Sequence, residues 1–365
     1  MKRHNRLKKH TLGLAAALLV TAGMSQIALA GDSVYVNTSS LRYRTSAQIK
    51  DNNIAGNLSY GQKLERVGTS GQWTMILLNG KKYYVSSAYV TSKKPASAGA
   101  VQTTSQTAAG AQTSGGTAIA LSSNYKYANY SKINSGTATL YRSTASNKKN
   151  KVVCVNAGHG TNGGGSVKTQ CHPDGSAKVT GGTTGAGATS AVAVSSGMTF
   201  ADGTAESKVT LAMAKVLKTK LLNAGYDVLM IRESDDVQLD NIARTVIANN
   251  NADCHIALHW DSTSSNKGAF FMSVPSNATY RAMEPVASHW KQHKQLGESL
   301  ISGLKSAGVK IYSKGSMEMD LTQTSYSTIP SVDIELGDKA SDHSGATLET
   351  LANGLLAGVN TFFGQ

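Results

Sequence analysis

Two histidines each follow a short apolar run, a position from which an imidazole could take part in catalysis or metal binding. His159 stands between two glycines in "VVCVNAGHG", and His259 closes the run "CHIALH". Both runs have the composition of buried strands, so each imidazole is predicted at a strand end. The glycines beside His159 allow other groups to approach closely. A turn histidine without a chemical task is the alternative interpretation for His159.

Two glutamates accompany them. Glu206 lies in the first turn of the predicted helix "AESKVTLAMAKVLKTKLLNAG", on the side shared by Val209 and Met213. Glu335 ends the predicted strand "SVDIEL". The alternative interpretation of Glu206 is a carboxylate that only interacts favourably with the helix dipole. The alternative for Glu335 is an exposed strand face that it shares with Asp333. Two histidines and two glutamates fit a catalytic zinc site with three ligands, one open position and one proton-moving carboxylate.

Other histidines have helical spacing but fit a metal site less well. No glutamate follows His255, and in a strand its ring and that of His259 stand about 13 Å apart. We therefore expect His255 to be a core or edge histidine. His289 and His293 lie in the polar, basic segment "SHWKQHK", which favours a solvated helix face over a metal site.

The elements that must position these residues alternate in type. The predicted strands are "VVCVNA", "YDVLMIR", "CHIALH", "GAFFMSV" and "SVDIEL". The predicted helices are "AESKVTLAMAKVLKTKLLNAG", "LDNIARTVIANN", "ESLISGLKSAG" and the tail from Gly345. This alternation predicts an α/β catalytic domain at residues 150–365, with a mostly parallel twisted sheet flanked by helices. Ligands bind such sheets at the carboxyl ends of the strands.

The segment before this domain differs in composition. In residues 31–92 short β-rich runs are separated by turn residues, and Asn79-Gly80 is a strong hairpin signal. The runs "LRYRTSA", "GQKLERVG" and "GQWTMILLNGKKYYVSSAYV" resemble a bacterial Src-homology-3-type module, a small β-barrel common in exported wall proteins. Residues 93–125 are small and polar, and they predict a flexible linker because they cannot bury enough apolar surface to order themselves.

Residues 1–30 have the pattern of an export signal. Basic residues without an acid precede an apolar run from Leu12 to Val20, and Ala28-Leu29-Ala30 offers a small-residue cleavage site. That run is too short to span a bilayer, and no later segment reaches the roughly 18 consecutive apolar residues that a spanning helix needs. We therefore expect a secreted, soluble protein with no membrane span.

The net positive charge of the chain indicates which kinds of binding partner it favours. The formal charge of +14 falls to +9 without the basic residues of the export signal. A basic exported protein suits a polyanionic surface such as a cell wall, although the charge also serves solubility alone. The sequence has no zinc-finger spacing, basic helix or aromatic-basic stacking motif, so no nucleic-acid partner is predicted. We expect a cell-wall-associated monomer.

The three cysteines do not form a disulfide scaffold, because an odd count allows at most one disulfide within the chain. Cys154 and Cys254 lie in apolar runs and are predicted to be small buried hydrophobes. Cys171 stands beside His172 in "QCHPDG", where a metal role is a minor alternative.

The motifs of the α/β region carry a family resemblance. "NAGHG", "GYDVLMIRESDD", "LDNIARTVIANNNADCHIALHWDS" and "PSVDIELGDKAS" resemble the zinc-dependent N-acetylmuramoyl-L-alanine amidases, which hydrolyse bacterial peptidoglycan. The resemblance covers residues 151–365. It implies that His159, Glu206 and His259 bind zinc. It also implies that Glu335 is the catalytic acid/base, which takes a proton from the attacking water and returns it to the leaving amine of L-alanine.

The chain departs from the family pattern in several places. Asn156-Ala157 replaces the usual Asp-Pro, Asp338 replaces the usual Phe, and "HWDS" lacks an expected Asn. An insertion at residues 160–205 separates the first histidine from the glutamate of the following helix. Its glycines and few large apolar residues favour mobility over tight packing, as a lid or as a groove wall.

Two other functions remain open at the level of sequence. A zinc peptidase cutting within the stem peptide would use a similar site. A non-catalytic wall-binding protein would rely on the module at residues 31–92 and would bind no zinc.

Overall fold

The computed structural model describes residues 32–37, 40–48, 53–59, 61–94 and 115–365. The chain divides into two compact units, Met1–Ser105 and Gln106–Gln365. The predicted export signal lies outside the described residues, as does the greater part of the predicted linker. No helix in the described part of the chain combines the length and the apolar character needed to cross a bilayer.

The first unit contains an antiparallel sheet. Its strands are β1 (Asp32–Val36), β2 (Ser40–Arg44), β3 (Ile54–Ser59), β4 (Lys63–Ser70), β5 (Trp73–Leu78), β6 (Lys81–Ser86) and β7 (Val90–Thr91). They lie in the order β3-β2-β6-β5-β4-β1-β7. Asn79 and Gly80 connect β5 to β6 with φ values of 51° and 74°. Two positive values are what a tight two-residue hairpin turn requires, so the predicted hairpin is confirmed.

The second unit is built on an eight-stranded sheet. Its strands are β8 (Thr117–Ala120), β9 (Thr137–Tyr141), β10 (Val152–Ala157), β13 (Asp227–Met230), β14 (Cys254–Asp261), β15 (Ala269–Ser273), β16 (Ile311–Glu318) and β17 (Ser331–Asp338), with a separate ribbon of β11 (Lys168–Gln170) and β12 (Ser190–Val192). The helices are α1 (Glu206–Asn223), α2 (Asn241–Asn251), α3 (Ala278–Ala282), α4 (Val286–Ser306), α5 (Thr322–Tyr326) and α6 (Gly345–Phe363). The sheet order is β16-β15-β17-β14-β10-β13-β9-β8.

The four central strands are parallel. β10 pairs with both β13 and β14, and β14 pairs with β17. Antiparallel pairs join β15 to β17 and β9 to β13, outside this centre. The predicted mostly parallel sheet flanked by helices is therefore confirmed. Because the central strands share one direction, the carboxyl ends of β10, β14 and β17 meet at one edge of the sheet.

Alternate residues of β10 enter two different cores. Val153 and Val155 pack in the larger apolar cluster, to which α1, α4 and α6 contribute. Cys154 packs in a smaller cluster to which α2 contributes. Burial on both faces explains the uninterrupted apolar run. Cys154 and Cys254 are buried free thiols, as predicted, and Cys171 is buried too.

The catalytic domain was predicted to start at residue 150, but the eight-stranded sheet already includes two strands before that residue. β9 pairs with β13, and β8 pairs with β9. β8 falls inside residues 93–125, which were predicted to be a flexible linker. Its side chains are mostly exposed, and pairing with β9 holds it in the sheet. The linker predicted from composition therefore includes a strand, β8, that belongs to the sheet.

Helix α4 begins at Val286, well before the predicted segment "ESLISGLKSAG". Its early turns are polar, yet His293 is only 2% exposed. The Nδ1 atom of His293 accepts a hydrogen bond from the backbone N–H of Ser331 at 2.9 Å. The solvated face predicted for this segment is therefore wrong for His293, because the start of β17 covers it. His289 is half-buried.

Candidate metal centre and catalytic site

His159 lies two residues beyond the end of β10, in the left-handed region with φ of 64°. Its glycine neighbours leave room for other side chains. A Cβ atom on Gly158 would lie 2.2 Å from the His259 ring, and one on Gly160 would lie 2.7 Å from the Arg232 guanidinium. Glycine is therefore required on both sides of His159 by close packing.

Three of the four predicted site residues meet directly. The Nε2 atom of His159 lies 2.9 Å from Oε1 of Glu206. The Nδ1 atom of His259 lies 3.1 Å from the same oxygen and 3.0 Å from His159 Nε2. Glu206 is the first residue of α1 and is 2% exposed, so it faces inward as predicted. Two nitrogens and a carboxylate oxygen are a donor set that zinc takes in catalytic sites.

The ligand atoms of these residues all lie within 4.8 Å of one another. In the described part of the chain, no other group of three or more histidine, cysteine or acidic side chains could hold a metal ion in this way. The arrangement therefore fits a single metal site formed by His159, Glu206 and His259.

Surrounding groups fix the orientation of the ligands. The Nδ1 atom of His159 faces the carbonyl oxygen of Ser195 at 2.8 Å, so Nδ1 carries the proton and Nε2 keeps its lone pair for the site. Glu206 accepts hydrogen bonds from the backbone N–H groups of Trp260 at 3.0 Å and Met198 at 2.8 Å. Neighbouring backbone groups therefore orient the ligand side chains.

The electrostatics of the site favour a cation. Burial by itself raises the pKa of Glu206, but hydrogen bonds and charge from His159 and His259 lower it well below its ordinary value. Burial opposes protonation of His259, yet the carboxylates of Asp333 and Glu206 raise its pKa to about 10. These acids stabilise either a proton on His259 or a metal ion in its place.

Glu335, the fourth predicted residue, faces the same cavity. It lies opposite His259 in the pairing of β17 with β14. Its side chain is 9% exposed, and Oε2 is buried without a hydrogen-bond partner among the described residues. Burial raises the pKa of Glu335 well above its ordinary value, and Asp333 adds to the effect against the opposing His259. Burial and the neighbouring acids therefore favour the protonated form of the Glu335 carboxyl group.

Asp333 also belongs to the site, and it was predicted only as part of an exposed strand face. Its side chain is 17% exposed, and Oδ2 lies 3.6 Å from Nε2 of His259. Asp333 precedes Glu335 by two residues in β17, so both carboxylates point to one face of the sheet. That alternation was visible in the sequence, but the burial of the face was not.

The N-acetylmuramoyl-L-alanine amidase family model matches residues 153–354, which is more than half of the chain. The chain belongs to this family. The match favours the amidase over the other functions left open by the sequence. The chain is therefore an N-acetylmuramoyl-L-alanine amidase, a cell-wall hydrolase.

Solved structures similar to the amidase include other family members. They are Ami1 of Mycobacterium smegmatis (18% identity, TM-score 0.49, 60% of this chain and 99% of that one), Ami1 of Mycobacterium abscessus (19%, 0.45, 58% and 98%) and the N-acetylmuramoyl-L-alanine amidase of Clostridium difficile 630 (17%, 0.42, 59% and 97%). No curated protein matches the chain at a significant level.

Two buried arginines hold the loop that carries His159. Arg232 donates to the carbonyl oxygens of Ala157 at 3.0 Å and Gly158 at 2.8 Å. Arg244 donates to the carbonyl oxygen of His159 at 2.7 Å. Burial lowers the pKa of Arg232 to about 10 and that of Arg244 to about 9. The burial of Arg232 and Arg244 is not predictable from the sequence, because basic residues in polar helix and loop segments are usually exposed.

Two departures from the family pattern have structural explanations. The Asn156 amide donates to Nε2 of His255 at 3.1 Å and accepts from Arg244 at 3.2 Å. An ionised aspartate could only accept, so the amide suits both neighbours. His255 is fully buried, which confirms it as a core histidine, and burial lowers its pKa to about 3. Asp338 is fully buried and accepts from the backbone N–H groups of Lys267 and Ala340, each at 3.0 Å.

The insertion is packed, not loose as its composition suggested. Its anchor is Asp320, which is fully buried. The carboxylate of Asp320 lies 2.9 Å from Nε2 of His172 and accepts from the backbone N–H of Val179 at 2.8 Å. Lys178 donates to the carbonyl oxygen of Asp320. Polar contacts therefore supply the order that a count of apolar residues did not predict, and His172 pairs with an acid.

The insertion also lines the active-site cavity of about 660 Å³. It contributes Gly182 and Thr184, while β15 and β16 contribute Met272 and Met317. The same cavity is lined by the four predicted site residues. The insertion therefore forms part of the groove wall of the amidase.

Proposed function

We propose that His159, Glu206 and His259 bind one zinc ion and that Glu335 is the catalytic acid/base of the amidase. The observation that carries this proposal is the meeting of three ligand atoms within 4.8 Å in a cavity that Glu335 also lines. A zinc ion bound there supplies Lewis-acid polarisation of the scissile carbonyl and makes the attacking water more acidic.

Glu335 has the properties that the proton transfers need. A cation held by His159, Glu206 and His259 would favour the ionised form of Glu335. Its Oε2 atom has no hydrogen-bond partner among the described residues, so the ionised carboxylate can accept the proton of the attacking water. The water oxygen forms the new bond to the lactyl carbonyl carbon, and the carbon–nitrogen bond breaks. Glu335 then returns the proton to the nitrogen of L-alanine. The products are a glycan with a free lactyl carboxylate and a stem peptide with a free amino terminus.

Product analysis tests this reaction. Purified cell walls are digested with the full-length protein, and new amino termini are labelled and identified by mass spectrometry. We expect L-alanine as the new amino terminus, together with glycan strands that lack peptide. New amino termini at any other stem-peptide residue would contradict the proposal, as would turnover that persists after complete removal of metal by a chelator.

We also propose that residues 1–30 direct export and that residues 31–92 form a Src-homology-3-type module joined by a linker to the amidase domain. The antiparallel sheet of β1 to β7, the charge pattern of the opening residues and the basic balance of the remainder support this organisation. The amino terminus of the protein isolated from culture medium checks the cleavage site after Ala30. Sedimentation with purified walls, with and without residues 31–92, checks whether the module binds them.

A further inference from the structure

We propose that Asp333 is a positioning residue that orients the His259 ring for metal binding. The inference rests on the proposed metal site and adds to it a carboxylate that lies against the His259 ring. It acts on the ring nitrogen of His259 that faces away from the other ligands.

The geometry identifies the ligand atom of His259. Its Nδ1 atom lies 3.0 Å from Nε2 of His159 and 3.1 Å from Oε1 of Glu206, so Nδ1 is the nitrogen that faces the site. A neutral imidazole carries one N–H. When Nδ1 gives its lone pair to a cation, the proton is on Nε2, and Nε2 needs an acceptor.

Asp333 is the acceptor that faces Nε2. Its Oδ2 atom lies 3.6 Å from Nε2, an ion-pair distance just beyond that of a hydrogen bond. Its other oxygen, Oδ1, is buried without a hydrogen-bond partner among the described residues. A buried carboxylate oxygen without a partner is costly, and the ion pair with the His259 ring offsets part of that cost.

The strand register explains why Asp333 reaches His259. In the pairing of β17 with β14, Asp333 lies opposite Ala257 and Glu335 lies opposite His259. Between the two acids, Ile334 is fully buried in the core on the other face of the sheet. Residues two apart share a face, so both carboxylates line the cavity. The two acids then have different roles: Glu335 transfers protons to and from the substrate, and Asp333 orients the His259 ring.

A carboxylate that accepts the free N–H of a ligating histidine fixes the tautomer and raises the basicity of the ring, and its loss costs about 10- to 100-fold in metal affinity. The test measures the zinc dissociation constant of the full-length protein by competition with a chromogenic chelator. Asp333→Leu should weaken zinc binding about 10- to 100-fold. Asp333→Asn keeps an oxygen that can accept the N–H, and it should restore most of the loss.

Asp261→Asn is the matched control. Asp261 lines the same cavity, but its carboxylate pairs with Lys267 and with the backbone N–H of Thr263. Asp261→Asn removes one negative charge, as Asp333→Leu does, but leaves the group that faces His259 in place. Zinc affinity should therefore stay within a few-fold of that of the unchanged protein. Equal losses in Asp261→Asn and Asp333→Leu would overturn the inference in favour of a general effect of charge. Zinc binding by Asp333→Leu with unchanged affinity would also overturn it.

A spectroscopic readout covers the case in which Asp333→Leu does not fold. The visible absorption bands of the cobalt-substituted protein report the ligand field. They should shift in Asp333→Asn, because the basicity of His259 falls, and stay unchanged in Asp261→Asn. Identical spectra for Asp333→Asn and the unchanged protein would overturn the inference. If the unchanged protein binds no zinc, the proposed metal site itself fails, which is a distinct result.

Discussion

The Nδ1 atom of His159 lies 2.8 Å from the carbonyl oxygen of Ser195, so a proposed metal ligand takes its orientation from the insertion. The same segment reaches Glu206 through the backbone N–H of Met198. The end of the insertion thus supports the metal centre. Residues 182–186, in contrast, are mostly exposed, and residues 182–184 line the cavity.

These two parts of the insertion should separate by mutation. Replacing residues 182–186 with two glycines should leave zinc content unchanged and lower the turnover of purified walls several-fold, because the groove loses part of its wall. Deleting residues 166–197 also removes the acceptor for His159, and it should weaken zinc binding about tenfold or more. Metal analysis and wall digestion check both. Faster turnover by the first variant would show that these residues cover the groove instead.

The ligands were predictable because local patterns place them. His159 and His259 follow apolar runs that fold as β10 and β14, and Glu206 falls on the apolar side of α1. The sheet direction then brings the strand ends together. Each of these steps depends on nearest neighbours in the chain and on one general rule of α/β sheets.

Other parts of the site depend on contacts between distant segments. Arg244 lies on α2 yet binds the loop after β10, and Asp320 anchors an insertion that precedes it by more than a hundred residues. Composition cannot reveal such pairs, because the residue type is the same whether a polar side chain is exposed or is buried against a distant partner. The same reason explains why His293 was predicted to be solvated.

Glu335→Gln keeps the shape of the side chain but cannot accept a proton. We expect zinc content to remain unchanged and turnover of cell walls to fall by about 10²- to 10⁴-fold. Glu298→Gln is a suitable control, because Glu298 is exposed on α4 and pairs with Lys294. Metal analysis and single-turnover digestion measure the two effects. Turnover near that of the control would mean that another group is the base.

Arg244→Met should damage both stability and metal binding. Arg244 is 1% exposed and its Nη2 atom donates to the carbonyl oxygen of His159 and to Oγ1 of Thr161. Losing these bonds leaves buried acceptors unpaired, at a cost of about 2–4 kcal/mol in the free energy of unfolding. Zinc affinity should fall because the His159 loop loses its clamp. Denaturant unfolding and chelator competition measure both.

The control for that variant is Arg142→Met. Arg142 is 60% exposed and pairs with Asp227, so its loss should cost no more than about 1 kcal/mol. Unchanged zinc affinity in Arg244→Met, with the protein folded, would show that the His159 loop holds its conformation without the arginine.

His293 should make the stability of the protein depend on pH. Burial lowers the pKa of His293 to about 3, so the folded protein keeps it neutral, whereas the unfolded chain protonates it near pH 6.5. The unfolded state then binds more protons, and stability falls as the pH drops below about 6.5, by about 1.4 kcal/mol per pH unit for this residue.

His293→Asn removes that titration while keeping an acceptor for the backbone N–H of Ser331. Between pH 7 and pH 5 the variant should lose about 2 kcal/mol less of its free energy of unfolding than the unchanged protein. Urea unfolding at both pH values, with metal removed from every sample, measures the difference. Equal slopes for His293→Asn and the unchanged protein would mean that His293 is protonated in the fold.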